Sequence, residues 1–219
     1  MTFKAVFFDW GHTLFDTASS VDFIVQWAAD HGCPLSRDEV AELWESARVT
    51  SRSAEELALG RDKSMEIHHE SWTRLWGPID ELCPGAAQAL YHHETSAEGW
   101  VPFLDTESVL AELERRKVPV VIVSDVPFDL RPIFAHYGLE HYVRTFVLSG
   151  EHGTIKPEGR LFQIALDAVA LQPRDVLMVG DNQVNDGVAI DAGITTLLLP
   201  QVPSGRPRGL STVLELFPG

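Results

Sequence analysis

Ala5-Val6-Phe7-Phe8-Asp9-Trp10-Gly11-His12-Thr13 is the stretch on which the fold turns. Four consecutive apolar residues read as a buried strand. The acid that follows, Asp9, falls at the carboxyl end of that strand, where open α/β sheets place their chemistry. A turn begins at once, so Asp9 is expected to stand exposed at the sheet edge.

Three more polar elements occur in the same kind of place. Ser124 ends the run Val120-Val121-Ile122-Val123, and Lys156 lies in Gly153-Thr154-Ile155-Lys156-Pro157. Gly180-Asp181, with Asp186 five residues beyond Asp181, follows Asp175-Val176-Leu177-Met178-Val179. Short apolar runs predict strands near 3–9, 119–124, 145–149, 175–180 and 195–199. Helical patterns fall near 106–116, 127–137, 158–171, 186–192 and 210–216. This alternation implies parallel βαβ units.

Residues 16–104 interrupt the alternation and contain no good strand. Val21 to His31 is amphipathic, Ser36 to Glu39 has the spacing of a capping box, and Ser64–Trp76 and Gly85–His93 read as further helices. The fold class expected is therefore α/β: a doubly wound, Rossmann-like parallel-sheet core of residues 1–15 plus 105–219, with an all-helical insertion at 16–104.

The chain has 219 residues and a net charge of −15, which argues against nucleic acid and anionic membranes as partners. Most of the excess lies in residues 16–105, which hold 17 acidic and 6 basic residues, and is read as solvated helix faces. No apolar run has the length of a membrane span, and the N-terminus leads into a strand, so a cytoplasmic location is expected. Cys33 and Cys83 make neither a disulfide framework nor a zinc set and are expected as two small buried side chains.

The order strand-end Asp, strand-end Ser, Lys-Pro, strand-end Gly-Asp resembles the haloacid dehalogenase-like hydrolase superfamily over nearly the whole chain. The resemblance implies a helical cap at 16–104 that opens and closes over the site, with hinges near Leu14–Thr17 and Trp100–Leu104. It implies a monomer or homodimer acting on a small phosphorylated substrate. Asp9 becomes the nucleophile, forming an aspartyl-phosphate. Asp9, Asp181 and the Gly11 carbonyl become the ligands of Mg²⁺, which takes oxygen donors. Ser124 binds a phosphate oxygen, Lys156 counters transition-state charge, and Thr13 and Asp186 play supporting parts. Asp125 stands where the relatives usually have Asn.

The departure is Gly11. Phosphatases of the superfamily carry a second Asp there, which protonates the leaving group and then activates water, help worth ~10²–10⁴-fold. Its replacement is left open between His12, water and a group from the cap. In the cap loop, Arg61 and Lys63 suit an anionic substrate. Lys63 also raises an alternative, because phosphonoacetaldehyde hydrolases are similar in having a small residue at this position and a cap lysine that forms a Schiff base. A metal-free haloacid dehalogenase, which the retained Asp181 argues against, and a weakly active or non-catalytic phosphometabolite-binding protein are the other readings. Trp72 and Trp76, at i, i+4 spacing, and the pairs His68-His69 and His92-His93 are expected to pack or to face solvent.

Overall fold

The computed structural model describes residues 3–203 and 205–217. Its centre is a five-stranded parallel sheet in which β1 (Ala5–Phe8) is the middle strand. On one side lie β4 (Val120–Ser124) and β5 (Val143–Leu148), on the other β6 (Val176–Gly180) and β7 (Thr195–Leu198), giving the order β5-β4-β1-β6-β7. All residues of β1, β4 and β6 are buried, as parallel strands covered on both faces must be. Alternate side chains feed two cores. Val6 and Phe8 join one with Leu110 and Leu113 of α7 (Thr106–Arg115), and Ala5 and Phe7 join the other with Leu161, Phe162, Ala165 and Leu166 of the helix Arg160–Val169.

The insertion holds helices α1 (Ser20–Asp30), α2 (Arg37–Thr50), α3 (Ala54–Ala58), α4 (Met65–Leu75), α5 (Gly77–Leu82) and α6 (Ala86–Glu94). They pack around their own core of Ile24, Ala28, Val40, Trp76, Ile79 and Leu90. The chain enters and leaves the insertion through a two-stranded antiparallel ribbon, β2 (Phe15–Thr17) against β3 (Trp100–Pro102), with Thr17 paired to Trp100. Sequence patterning gives no strand within 16–104. Three residues per strand are too few for a period-2 pattern, and the ribbon exists because each strand supplies the other's partner.

Other expectations are corrected in detail. Of 127–137 only α8 (Arg131–His136) is helical, since Pro127 lies in a loop over the sheet edge. Residues Gly187–Ala192 form a 3₁₀ turn. The remaining helices are α9 (Ser149–His152), α10 (Arg160–Val169) and α11 (Ser211–Leu214). Ser36 occupies the N-cap of α2, but its side chain makes no capping hydrogen bond. Cys33 and Cys83 are not separate buried side chains: packing of the cap helices brings their Cα atoms to 5.8 Å and the two are joined in a disulfide. No helix among the described residues is long and apolar enough to cross a membrane.

Candidate active site

Three adjacent strands deliver the site. Phe8 pairs with Ile122 of β4 and with Val179 of β6, so Asp9, Ser124 and Asp181, which follow within one or two residues, come to one edge of the sheet. The order of connections reverses across β1, and crevices at such switch points receive ligands. The Asp9 backbone is pinned there by its N–H donating to the Val179 carbonyl at 2.9 Å.

Asp9 is buried, not exposed at the sheet edge as its place before a turn suggests, because Thr13, Ser124 and Lys156 close around its carboxylate. Oδ1 accepts from Lys156 Nζ at 2.6 Å and from Ser124 Oγ at 3.2 Å, and Oδ2 accepts from Thr13 Oγ1 at 3.3 Å. Lys156, 2% exposed, also donates to Asp186 Oδ1 at 2.5 Å. Burial pushes the Asp9 carboxyl above the usual carboxylate range against the pull of Lys156, and Asp186 and Asp181 add to the rise. Burial alone would lower the Lys156 ammonium, but Asp9, Asp186 and Asp125 outweigh it and hold it charged.

Asp186 is a positioning residue. Its Oδ2 accepts the backbone N–H groups of Asp181 and Asn182 at 3.0 and 2.9 Å, which fixes the turn after β6. Gly180 is required for this, because a Cβ there would overlap the Asp186 carboxylate. Gly180→Ala is therefore expected to cost about 1–3 kcal/mol of stability and to lower turnover through a displaced Asp186. Chemical denaturation and steady-state kinetics on one preparation check both effects.

Carboxylate oxygens of Asp9, Asp181 and Asp186 lie within 4.8 Å of one another. Both oxygens of Asp186 are committed to Lys156 and the backbone, whereas Asp181 has one recorded partner, Gln201 Nε2 at 2.6 Å. Among the described residues no hydrogen bond takes the Gly11 carbonyl. Asp9 Oδ2, whose one partner is the long 3.3 Å bond from Thr13, Asp181 and that carbonyl are thus the oxygens with most capacity for a cation.

The strand-end residues open into a cavity of about 760 Å³ whose far wall belongs to the insertion. Five of the six tryptophans line it: Trp10, Trp44, Trp72, Trp76 and Trp100. Trp72 and Trp76 stack at 5.0 Å, and Arg61 lies over Trp72 at 5.4 Å. Arg61 is buried and donates to the Ser51 carbonyl at 2.5 Å. Lys63 does not line the cavity and instead pairs with Glu158 of the core. His68 is neither a surface nor a plain packing residue. It lines the cavity, with Nδ1 at 3.1 Å from the Tyr91 hydroxyl and Nε2 accepting from Trp72 Nε1 at 3.1 Å.

His12 has φ +57°, the left-handed region that favours glycine. Its ring is 48% exposed and lies 3.7 Å from Asp16. The turn is held from behind by Arg208, which is buried and donates from Nε to the His12 carbonyl at 2.6 Å and from Nη2 to the Leu199 carbonyl at 3.2 Å. Sequence reading gave Arg208 no part, because nothing in the Pro/Gly-rich stretch 200–208 marks one basic residue as internal. Asp125 also has a definite place: its Oδ1 accepts the Lys156 backbone N–H at 2.8 Å and so seats the lysine loop. Burial raises the Asp125 carboxyl to about 6.

The chain is similar to known proteins in both sequence and fold. Over 204 residues, 90% of this chain and 85% of the relative, the sequence is 26% identical to glyceraldehyde 3-phosphate phosphatase of Methanothermobacter thermautotrophicus. It is 37% identical over 114 residues to phosphoserine phosphatase of Thermus thermophilus, covering 47% of this chain and 44% of that one. The L-2-haloacid dehalogenase of Xanthobacter autotrophicus superposes with a TM-score of 0.66 at 21% identity, over 92% of this chain and 79% of that one. One architecture thus serves different chemistries, and the site must choose between them. The sequence profile of the haloacid dehalogenase-like hydrolases matches residues 3–193, and with Asp9, Ser124, Lys156 and Asp181 gathered at one sheet edge, the chain belongs to that hydrolase family.

Proposed function

We propose that the protein is a Mg²⁺-dependent phosphatase of a small phosphorylated metabolite, working through a phosphorylated Asp9. The observation that carries this is the convergence of Asp9, Ser124, Lys156 and Asp181 at the ends of β1, β4 and β6 and the loop before α10. The relatives named for glyceraldehyde 3-phosphate and phosphoserine support a substrate of that size.

The donor set fits magnesium, being all oxygen and rich in carboxylate. Asp9, Asp181 and the Gly11 carbonyl would hold it, and when bound it neutralises charge between the attacking carboxylate and the phosphoryl oxygens. The chain's own groups do the rest. An Asp9 oxygen attacks phosphorus. Ser124 Oγ, freed from Asp9, donates to a phosphoryl oxygen. Lys156, held between Asp9 and Asp186, keeps its positive charge beside the transferring group. Retention of Asp181 favours this over metal-free dehalogenation. The carbon–phosphorus reading requires Lys63 in the chamber, and its pairing with Glu158 gives that reading no support.

Phosphate release from p-nitrophenyl phosphate and from a sugar phosphate, with magnesium and after EDTA treatment, is the test. Turnover is expected to fall to background in EDTA and to return with added Mg²⁺. Chloride release from a haloacid that survives EDTA would favour the dehalogenase reading instead.

A further inference from the structure

Gly11 leaves the second position after the nucleophile without a side chain, and the Trp100 ring stands beside it. A Cβ at Gly11 would meet the Trp100 ring at 3.5 Å, an ordinary van der Waals distance. The indole, not an acid, covers that spot. It is locked by its Nε1, which donates to the Glu94 carbonyl at 2.8 Å, and by packing on Trp10 with ring centres 4.0 Å apart. The ring that stands beside Gly11 therefore also ties the last turn of α6, and Glu94 with it, to the site.

The acids lining the cavity can be sorted by what already holds them. Asp9, Asp181 and Asp186 are committed as described, and Asp125 seats the lysine loop. Asp62 lies 3.5 Å from the Arg61 guanidinium. Glu94 is different: it lines the same cavity, and its recorded side-chain partner is the neutral hydroxyl of Ser20. Burial pushes its carboxyl up to about 7, so it passes readily between neutral and charged forms near physiological pH. The imidazoles are poorer candidates. His68 has both nitrogens engaged, and burial, with Arg61 and His69 nearby, lowers it to about 3. His12 is half in solvent beside Asp16.

We propose that Glu94, which lines the same cavity from the cap, is the general acid and base that Gly11 cannot be. The proposal rests on the phosphatase reading above. In the first half-reaction Asp9 bonds to phosphorus, the bond from phosphorus to the leaving oxygen breaks, and that oxygen takes the Glu94 proton. In the second, Glu94 takes a proton from water as the water oxygen bonds to phosphorus and the bond to Asp9 breaks. Phosphate leaves, and both carboxyls return to their starting forms.

Glu94→Gln tests this, since glutamine keeps the shape and the acceptor for Ser20. On a sugar phosphate, whose leaving group needs a proton, kcat is expected to fall ~10²-fold or more. On p-nitrophenyl phosphate, whose leaving group does not, the variant is expected to release a burst of nitrophenolate equal to the enzyme and then stall, because the acyl phosphate lacks its base. Glu94→Ala is expected to recover activity with added formate, which a purely structural role would not allow. Wild-type turnover matched by Glu94→Gln on both substrates, or an equal loss on both without a burst, would overturn the role of Glu94 and leave the phosphatase reading standing. Wild-type failure on every phosphate ester would overturn both.

Discussion

Asp9→Asn is expected to abolish turnover, by on the order of 10⁴-fold or more in kcat, the scale seen when a nucleophile is removed. The amide is a poor nucleophile, and no neighbouring carboxylate can substitute. Asp186 has both oxygens held by Lys156 and the backbone, and Asp181 lies at the end of a different strand. Folding is expected to survive. Asparagine keeps the shape, Lys156 retains Asp186 at 2.5 Å, and a carboxyl that burial disfavours in its charged form is removed. Unfolding midpoints within a few degrees of wild type, alongside lost phosphate release, would be the signature. Residual turnover within tenfold of wild type would mean that Asp9 is not the attacking group.

Lys156→Met is expected to damage both stability and catalysis. The ammonium is 2% exposed and lies 2.6 Å from Asp9 and 2.5 Å from Asp186. Methionine matches its length but leaves two buried carboxylates without their shared counter-charge. Removing one partner of a buried ion pair costs about 3–5 kcal/mol, partly relieved here if one carboxyl takes up a proton. Asp186 also holds the turn carrying Asp181, so the disturbance spreads to the proposed metal ligand. Urea unfolding should show the stability loss in the metal-free protein. Turnover should fall ~10²-fold or more as the fixed charge opposite the phosphoryl group disappears. A variant with wild-type stability would mean that the ion pairs contribute nothing net.

Much of this molecule could be read from local pattern. The runs Ala5–Phe8, Val120–Val123 and Val176–Val179 are continuous because parallel strands are covered on both faces. The polar residues that end them, Asp9, Ser124 and Asp181, meet because neighbouring parallel strands finish at one edge. The helical insertion was visible because strand-like runs stop at Phe8 and resume at Val120. Glycine at 180 was legible as part of a motif, while its reason, the Asp186 carboxylate against its Cα, was not.

What sequence alone determined, then, is the parallel core, the place of the insertion and the residues at the strand ends, because apolar period and strand termini are properties of a few consecutive residues. Tertiary structure decided the rest. Pairing of Phe15–Thr17 with Trp100–Pro102, the Trp100 ring beside Gly11, Arg208 behind His12, the Cys33–Cys83 bond, the turning of Lys63 to Glu158 and the place of Glu94 in the cavity all join residues far apart in the chain. Such contacts follow from how preformed elements pack against one another, and neither partner carries a local mark of where the other will be.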